Sequence, residues 1–183
     1  NTNRETKMTT LATVITGASS GIGEALAHLF APEQQTLVLV ARRKERLDAL
    51  AKELNSKHGI KVHVIAQDLQ EVGAAANLMN SIANLNLTVD TLINNAGFGI
   101  SAPFAKSDGA KTSAMMQLNM VALTELTHMA LPAMLERRHG RIMNIASVAA
   151  FQACPYFAVY AATKAYVLSF TEALAAEVAD RGV

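Results

Sequence analysis

Thr16-Gly17-Ala18-Ser19-Ser20-Gly21-Ile22-Gly23 is the stretch on which the reading of this chain turns. It follows an apolar, β-branched run, Leu11-Ala12-Thr13-Val14-Ile15, and leads straight into a helical pattern over residues 24–31. A strand, a glycine-rich turn and a helix in that order build an anion site. Gly17 lets the chain turn sharply as the strand ends, and Gly21 lets backbone approach a ligand with no Cβ between them. Gly23 lets the helix pack closely, while the first-turn N–H groups and the helix dipole point at negative charge. The spacing G-x-x-x-G-x-G is neither the G-x-G-x-x-G fingerprint nor the P-loop, which ends in Gly-Lys-Ser/Thr.

Outward from the turn, strand and helix patterns alternate. Pro32 closes the first helix, and residues 36–41 (Thr-Leu-Val-Leu-Val-Ala) form the continuous apolar run of a strand buried on both faces. Residues 42–57 form an amphipathic helix, with Leu47, Leu50, Ala51 and Leu54 at helical spacing and Gly59 as its stop. A third strand over 61–66, a third helix over 71–83 and a fourth strand over 88–93 follow, the last ending at Asn94-Asn95-Ala96-Gly97. A helical pattern then spans 109–138, with a kink expected at Pro132. Residues 141–146 read as a fifth strand and 156–180 as one alanine-rich helix. Strict alternation with short connections predicts an α/β fold, a doubly wound, Rossmann-type parallel sheet flanked by helices on both faces. In such a sheet ligands bind outside the carboxyl ends of the strands. The turn at Thr16, Arg42-Arg43, Asp68-Leu69, the Asn94–Gly97 stretch and Ser147 all fall in that zone.

Composition narrows the class. The 183 residues fit one domain, read as 11–183 after a flexible extension over 1–10 that lacks the apolar centre of a secretory signal. Half of the chain is apolar (51%) and the net charge is +1, which argues against disorder and against a nucleic-acid-binding surface. A single cysteine, Cys154, excludes an internal disulfide and fits a reducing, cytoplasmic setting. It lies before the last helix, either lining a substrate pocket or as a bystander thiol. The longest uncharged stretch, 142–163, is broken by Asn144, Ser147, Gln152 and Pro155 and is no membrane span. His28, His58, His63, His128 and His139 show no ligand spacing, so no metal site is expected.

Chemistry enters with Tyr160 and Lys164. Four residues apart in a helix, they share a face, with Cβ atoms about 5–6 Å apart. A phenol with a pKa of about 10 is a poor acid–base catalyst at neutral pH. A neighbouring ammonium favours the phenolate, which is how a tyrosine becomes useful for proton transfer. Ser147 stands thirteen residues before Tyr160, across a loop long enough to fold its hydroxyl back beside the ring. Its context, Ala146-Ser147-Val148, lacks the glycines of a nucleophile elbow. A hydrogen bond to a substrate oxygen is its plausible task.

Thr16-Gly17-x-x-x-Gly21-x-Gly23, Asn94-Asn95-Ala96-Gly97, Asn119, Ser147 and Tyr160-x-x-x-Lys164, taken in order, resemble the short-chain dehydrogenase/reductase family. The resemblance implies an NAD(P)-dependent oxidoreductase acting on an alcohol or a carbonyl. It implies that Tyr160 moves a proton to or from the substrate oxygen, that Lys164 holds the nicotinamide ribose and lowers the Tyr160 pKa, and that Ser147 positions the substrate. Asn119, in the middle of the long helix, would hold a water that continues a proton relay through Lys164. Gly17, Ser19, Ser20, Gly21, Ile22 and Gly23 would seat the pyrophosphate. Asn95, Ala96 and Gly97 would line the adenosine side, with Asp68 and Leu69 bordering the adenine.

An NAD enzyme usually carries an acidic residue about 20 residues past the turn. Here Arg42-Arg43-Lys44 follows the second strand instead, which suits a 2′-phosphate and so NADP rather than NAD. Some members of the family add a basic residue just before the second glycine of the turn, where this chain has Ser20. The resemblance also implies a homodimer or homotetramer built through the Met-rich helix (Met115, Met116, Met120, Met129, Met134) and the Ala-rich one after it (Ala161, Ala162, Ala165, Ala173, Ala175, Ala176). It implies further strands and a substrate-covering segment beyond Val183, so that the stretch choosing the substrate lies outside this sequence. A second class of function stays open: an NAD(P)-binding sensor or scaffold of the same fold, without turnover.

Overall fold

The computed structural model describes residues 9–34 and 36–183. The expected extension over 1–10 lies outside the described residues apart from Thr9 and Thr10, and Thr10 already belongs to the first strand.

Among the described residues, five strands, β1 (Thr10–Thr16), β2 (Thr36–Ala41), β3 (Lys61–Ala66), β4 (Leu87–Asn94) and β5 (Arg141–Asn144), form one parallel sheet in the order β3-β2-β1-β4-β5. The order reverses beside β1, so the carboxyl ends of β1 and β4 flank the crevice where such sheets take ligands. Helices α1 (Gly21–Phe30), α2 (Lys44–His58), α3 (Ala74–Asn84), α4 (Gly109–Met116), α5 (Leu123–Arg137) and α6 (Ala158–Val178) cover it.

Alternation along the strands explains both layers, because neighbouring strand residues point to opposite faces. Val14, Val38, Val40 and Leu92 pack with Leu78 and Ile82 of α3 and with Leu126, Ala130 and Met134 of α5. Ile15, Leu37, Leu39 and Ile93 pack with Ala27 of α1 and with Leu47, Leu50 and Leu54 of α2. Burying each such leucine is worth about 1.5–3 kcal/mol.

Among the boundaries that differ from the sequence expectation, four have a local reason. Helix α1 begins at Gly21, inside the glycine turn, because first-turn amides have no intrahelical partner to lose. Gly73 adopts φ 79°, which a right-handed helix cannot pass, so α3 starts after it. Tyr156 adopts φ 66° and its carbonyl accepts the Ala102 N–H at 2.9 Å, which delays α6 to Ala158. Strand β5 ends at Asn144, after which the Ile145 carbonyl turns away to a side chain of α6.

The long pattern over 109–138 is three pieces. A π-helical segment, Gln117–Ala122, separates α4 from α5, and α5 runs through Pro132. Pro132 and His128, the residue one turn before it whose carbonyl the proline cannot serve, are both exposed, so water meets the loss.

Candidate active site

Thr16 and Asn95 bring the two halves of the site together. The Thr16 hydroxyl donates to the Ile93 carbonyl at 3.2 Å and accepts the N–H groups of Asn95 and Ala96, both at 3.0 Å. Asn95 Nδ2 returns bonds to the carbonyls of Thr16 (2.9 Å) and Gly17 (3.3 Å). The glycine turn after β1 is thereby pinned to the loop after β4. Space is tight there: a Cβ on Gly17 would stand 2.9 Å from Ala96 Cα, and one on Gly23 would strike the Gly17 carbonyl.

Ser20 enters α1 in extended conformation (φ −173°) and its side chain caps no amide of the helix. Its hydroxyl instead accepts a 2.6 Å bond from Arg43, whose guanidinium also donates to Ser19 Oγ from Nε (3.2 Å) and Nη2 (3.0 Å). The orphan amides at the start of α1 are left for an anion, with a cation folded onto the same turn. Gly21 holds φ 59° with open space where a Cβ would be. Arg42 makes a looser pair with Asp68 at 3.7 Å.

These residues form one end of a groove of about 360 Å³. Its walls include Gly17, Ser19, Ser20, Ile22, Arg42, Arg43, Asp68, Leu69, Asn95, Ala96, Gly97, Tyr160 and Lys164. Four expected site residues stand outside its walls. They are Gly21, Gly23, Asn119, which stands beside Gly97, and Ser147.

At that far end, Lys164 is only 7% exposed, and its Nζ donates to the Ile145 carbonyl at 2.6 Å. Burial holds this ammonium below its ordinary 10.5. Nζ lies 5.9 Å from the centroid of the Tyr160 ring, which packs edge-on against Phe157 at 6.1 Å. Gly99 lies flat against the same ring, since a Cβ there would stand 3.0 Å from Tyr160 Cδ2.

Asn119 sits in the π-helical segment and is 1% exposed. Its Oδ1 accepts the Phe98 N–H at 3.1 Å, and its Nδ2 donates to the Phe98 carbonyl at 3.0 Å and to Thr163 Oγ1 at 3.1 Å. The side chain is engaged with protein on every side that these bonds describe. Ser147 opens the short 3₁₀ turn Val148–Phe151 and accepts the Ala149 N–H at 3.2 Å. Among the described residues it shares no hydrogen bond with Tyr160.

Three members of the site escaped sequence reading. Ile145 acts through a backbone carbonyl, which has no side-chain signature. Phe98 is held by its backbone for the same reason. Thr163 did carry a signal, a polar residue following two alanines between Tyr160 and Lys164. Among the described residues, no three His, Cys, Asp or Glu side chains converge on a metal-sized site, and no helix is long and apolar enough to cross a membrane.

The short chain dehydrogenase family model matches residues 11–183. The ketoacyl reductase HetN of Nostoc sp. is 34% identical over 178 residues, 97% of this chain and 62% of its own length. Sulfoacetaldehyde reductase 2 of Chromohalobacter salexigens is 36% identical over 172 residues, covering 93% of this chain and 68% of that protein. Among solved structures, a short-chain dehydrogenase from Sphingobium yanoikuyae in complex with NADPH superposes with TM-score 0.87 at 36% identity, over 94% of this chain and 67% of that one. The chain therefore spans about 62% of the length of the HetN reductase it matches. The fold, the ordered motifs and the family match over 11–183 agree, and the chain belongs to the short-chain dehydrogenase family.

Proposed function

We propose that this protein is an NADP-dependent oxidoreductase that interconverts a secondary alcohol and a ketone or aldehyde carbonyl, with Tyr160 as general acid and base. One observation carries the reading: a single groove joins an uncapped helix start with Arg43 folded over it to Tyr160 and the buried Lys164. The NADPH in the Sphingobium relative supports the cofactor assignment. The residues present fit such a group. The free amides of α1 and the Arg43 guanidinium match phosphates, and Gly21 leaves the approach open.

NADPH, when bound, supplies the hydride that the carbonyl carbon receives. Tyr160 gives its phenolic proton to the carbonyl oxygen during reduction and takes one from the hydroxyl during oxidation. Lys164 keeps a positive charge one helical turn from the phenolate that remains, and holds the cofactor ribose. Ser147 steadies the substrate oxygen once a carbonyl is present. Asn119 keeps the backbone of Phe98 in place, and a water held beside it returns the proton through Lys164.

Exposed Ala162, Ala165 and Tyr166 on α6 and exposed Met129 on α5 support pairing of two copies through these helices, which sedimentation equilibrium measures. The single cysteine supports a reducing, cytoplasmic setting.

The test is a panel of ketones and aldehydes with the intact protein, NADPH and NADH in parallel. A charge-assisted bond to the 2′-phosphate is worth about 1.5–3 kcal/mol, so kcat/KM with NADPH should exceed that with NADH roughly 10- to 100-fold. NADH preferred or equal would overturn the cofactor assignment. NADPH bound tightly with no member of the panel turned over would favour the sensor or scaffold reading.

A further inference from the structure

We infer that Thr163 is a positioning residue for the proton donor. Its buried hydroxyl ties the helical turn carrying Tyr160 to Asn119 and, through Asn119, to the 97–99 segment beneath the ring. The inference rests on the reading of Tyr160 as the group that moves the proton.

Thr163 is 1% exposed. Its Oγ1 donates to the Tyr160 carbonyl at 2.7 Å and accepts an N–H from Asn119 Nδ2 at 3.1 Å. A mid-helix threonine commonly bonds back to the preceding turn and needs nothing else. Here the lone pairs of the same hydroxyl are also used, by a side chain from a different element.

The Asn119 amide is thereby fully specified. Its two N–H donors go to the Phe98 carbonyl and to Thr163, and its oxygen takes the Phe98 N–H. Gly99, next to Phe98, packs against the Tyr160 ring. The ring is therefore held from two directions, through its own carbonyl and across the 97–99 segment, and both supports meet at Thr163. Removing the hydroxyl strands a buried Asn119 N–H and removes the side-chain bond to the Tyr160 carbonyl, which keeps only its helical partner. The consequence belongs to the placement of the phenol and leaves the phosphate end of the groove alone.

The experiment compares Thr163→Val, nearly isosteric and apolar, with Thr163→Ser, which keeps the hydroxyl, in the intact protein. The probes are NADPH and the panel carbonyl that is turned over fastest, with Tyr160→Phe as a parallel control. A displaced catalytic group costs on the order of 100-fold, so Thr163→Val should lower kcat by about 10- to 100-fold while KM for the carbonyl and Kd for NADPH stay within about twofold. Thr163→Ser should restore kcat to within about threefold of wild type. Hydrogen–deuterium exchange over 97–99, measured without NADPH, should rise in the valine variant and not in the serine one. Should Thr163→Val fail to fold, Thr163→Ala carries the same comparison. An unchanged kcat in the hydroxyl-free variant, or a serine variant as slow as it, overturns the inference. If Tyr160→Phe itself keeps wild-type turnover, the proton-donor assignment has failed instead, and the exchange data still read the Thr163 link.

Discussion

Arg43 leaves the solvated helix start to which its place in the sequence would assign it and lays its guanidinium on Ser19 and Ser20. A planar fork already held by two hydroxyls loses little freedom on meeting an anion. It brings positive charge to the turn from the end of β2, compensating for the absence of a basic residue at position 20. Arg42, 67% exposed at the side chain and 3.7 Å from Asp68, is bound far more weakly. Arg43→Met should therefore raise KM for NADPH roughly 10- to 100-fold and leave KM for NADH little changed, since the lost bond is to the extra phosphate. Arg42→Met should have a clearly smaller effect, and steady-state kinetics with both cofactors read the contrast. Equal effects of the two would show that charge near the groove suffices and geometry does not matter. The glycine spacing made the tight turn at Gly17 and the close packing at Gly23 legible. The fold-back of Arg43 was not legible, because it depends on tertiary contacts reaching back more than 20 residues.

Two neighbouring strands, β2 and β3, were the most legible elements. The runs 36–41 and 61–66 appear in the structure with the expected limits, because β-branched and apolar residues there fit no other environment. Helix ends were less so, since positive φ at Gly73 and Tyr156 is decided by packing rather than propensity. The π-helical segment over 117–122 had no signature at all, and π segments of this kind tend to mark functional positions. A polar ladder joins the layers around it: Asn94 Nδ2 donates to Thr127 Oγ1 (3.1 Å) and Asn144 Oδ1 (2.9 Å), and Asn144 Nδ2 donates to Thr171 Oγ1 (2.9 Å). It fixes the ends of β4 and β5 against α5 and α6, and so the Ile145 carbonyl that holds Lys164.

At the opposite edge, β3 carries His63, whose Nε2 is buried with no hydrogen-bond partner among the described residues. Burial first, then the Lys61 charge two residues away on the same strand face, hold its pKa below the ordinary 6.5. The unfolded chain then takes up the proton first as pH falls. Stability is lost from about pH 6.5 downward, and the loss is complete below the folded-state pKa. His63→Gln should lose less of its urea midpoint than wild type between pH 8 and pH 5. An identical loss in the two proteins would mean that His63 is not the group responsible.

Across the whole molecule, the sheet divides labour along one groove. The β1 and β2 ends bring an anion seat and a cation. The β4 loop lies between, and the segment after β5 with α6 brings Lys164 and Tyr160. The proposed anchoring and proton-transfer groups consequently stand at opposite ends of the groove. Tyr160, as proposed, acts only in the chemical step. General acid–base groups contribute about 10²–10⁴-fold. The most direct test is Tyr160→Phe, with NADPH affinity measured by calorimetry and turnover measured on the same sample. Kd for NADPH should stay within about twofold while kcat falls by about 10² or more. Turnover within a few-fold of wild type, or a loss of NADPH binding that matches the loss of rate, would contradict it.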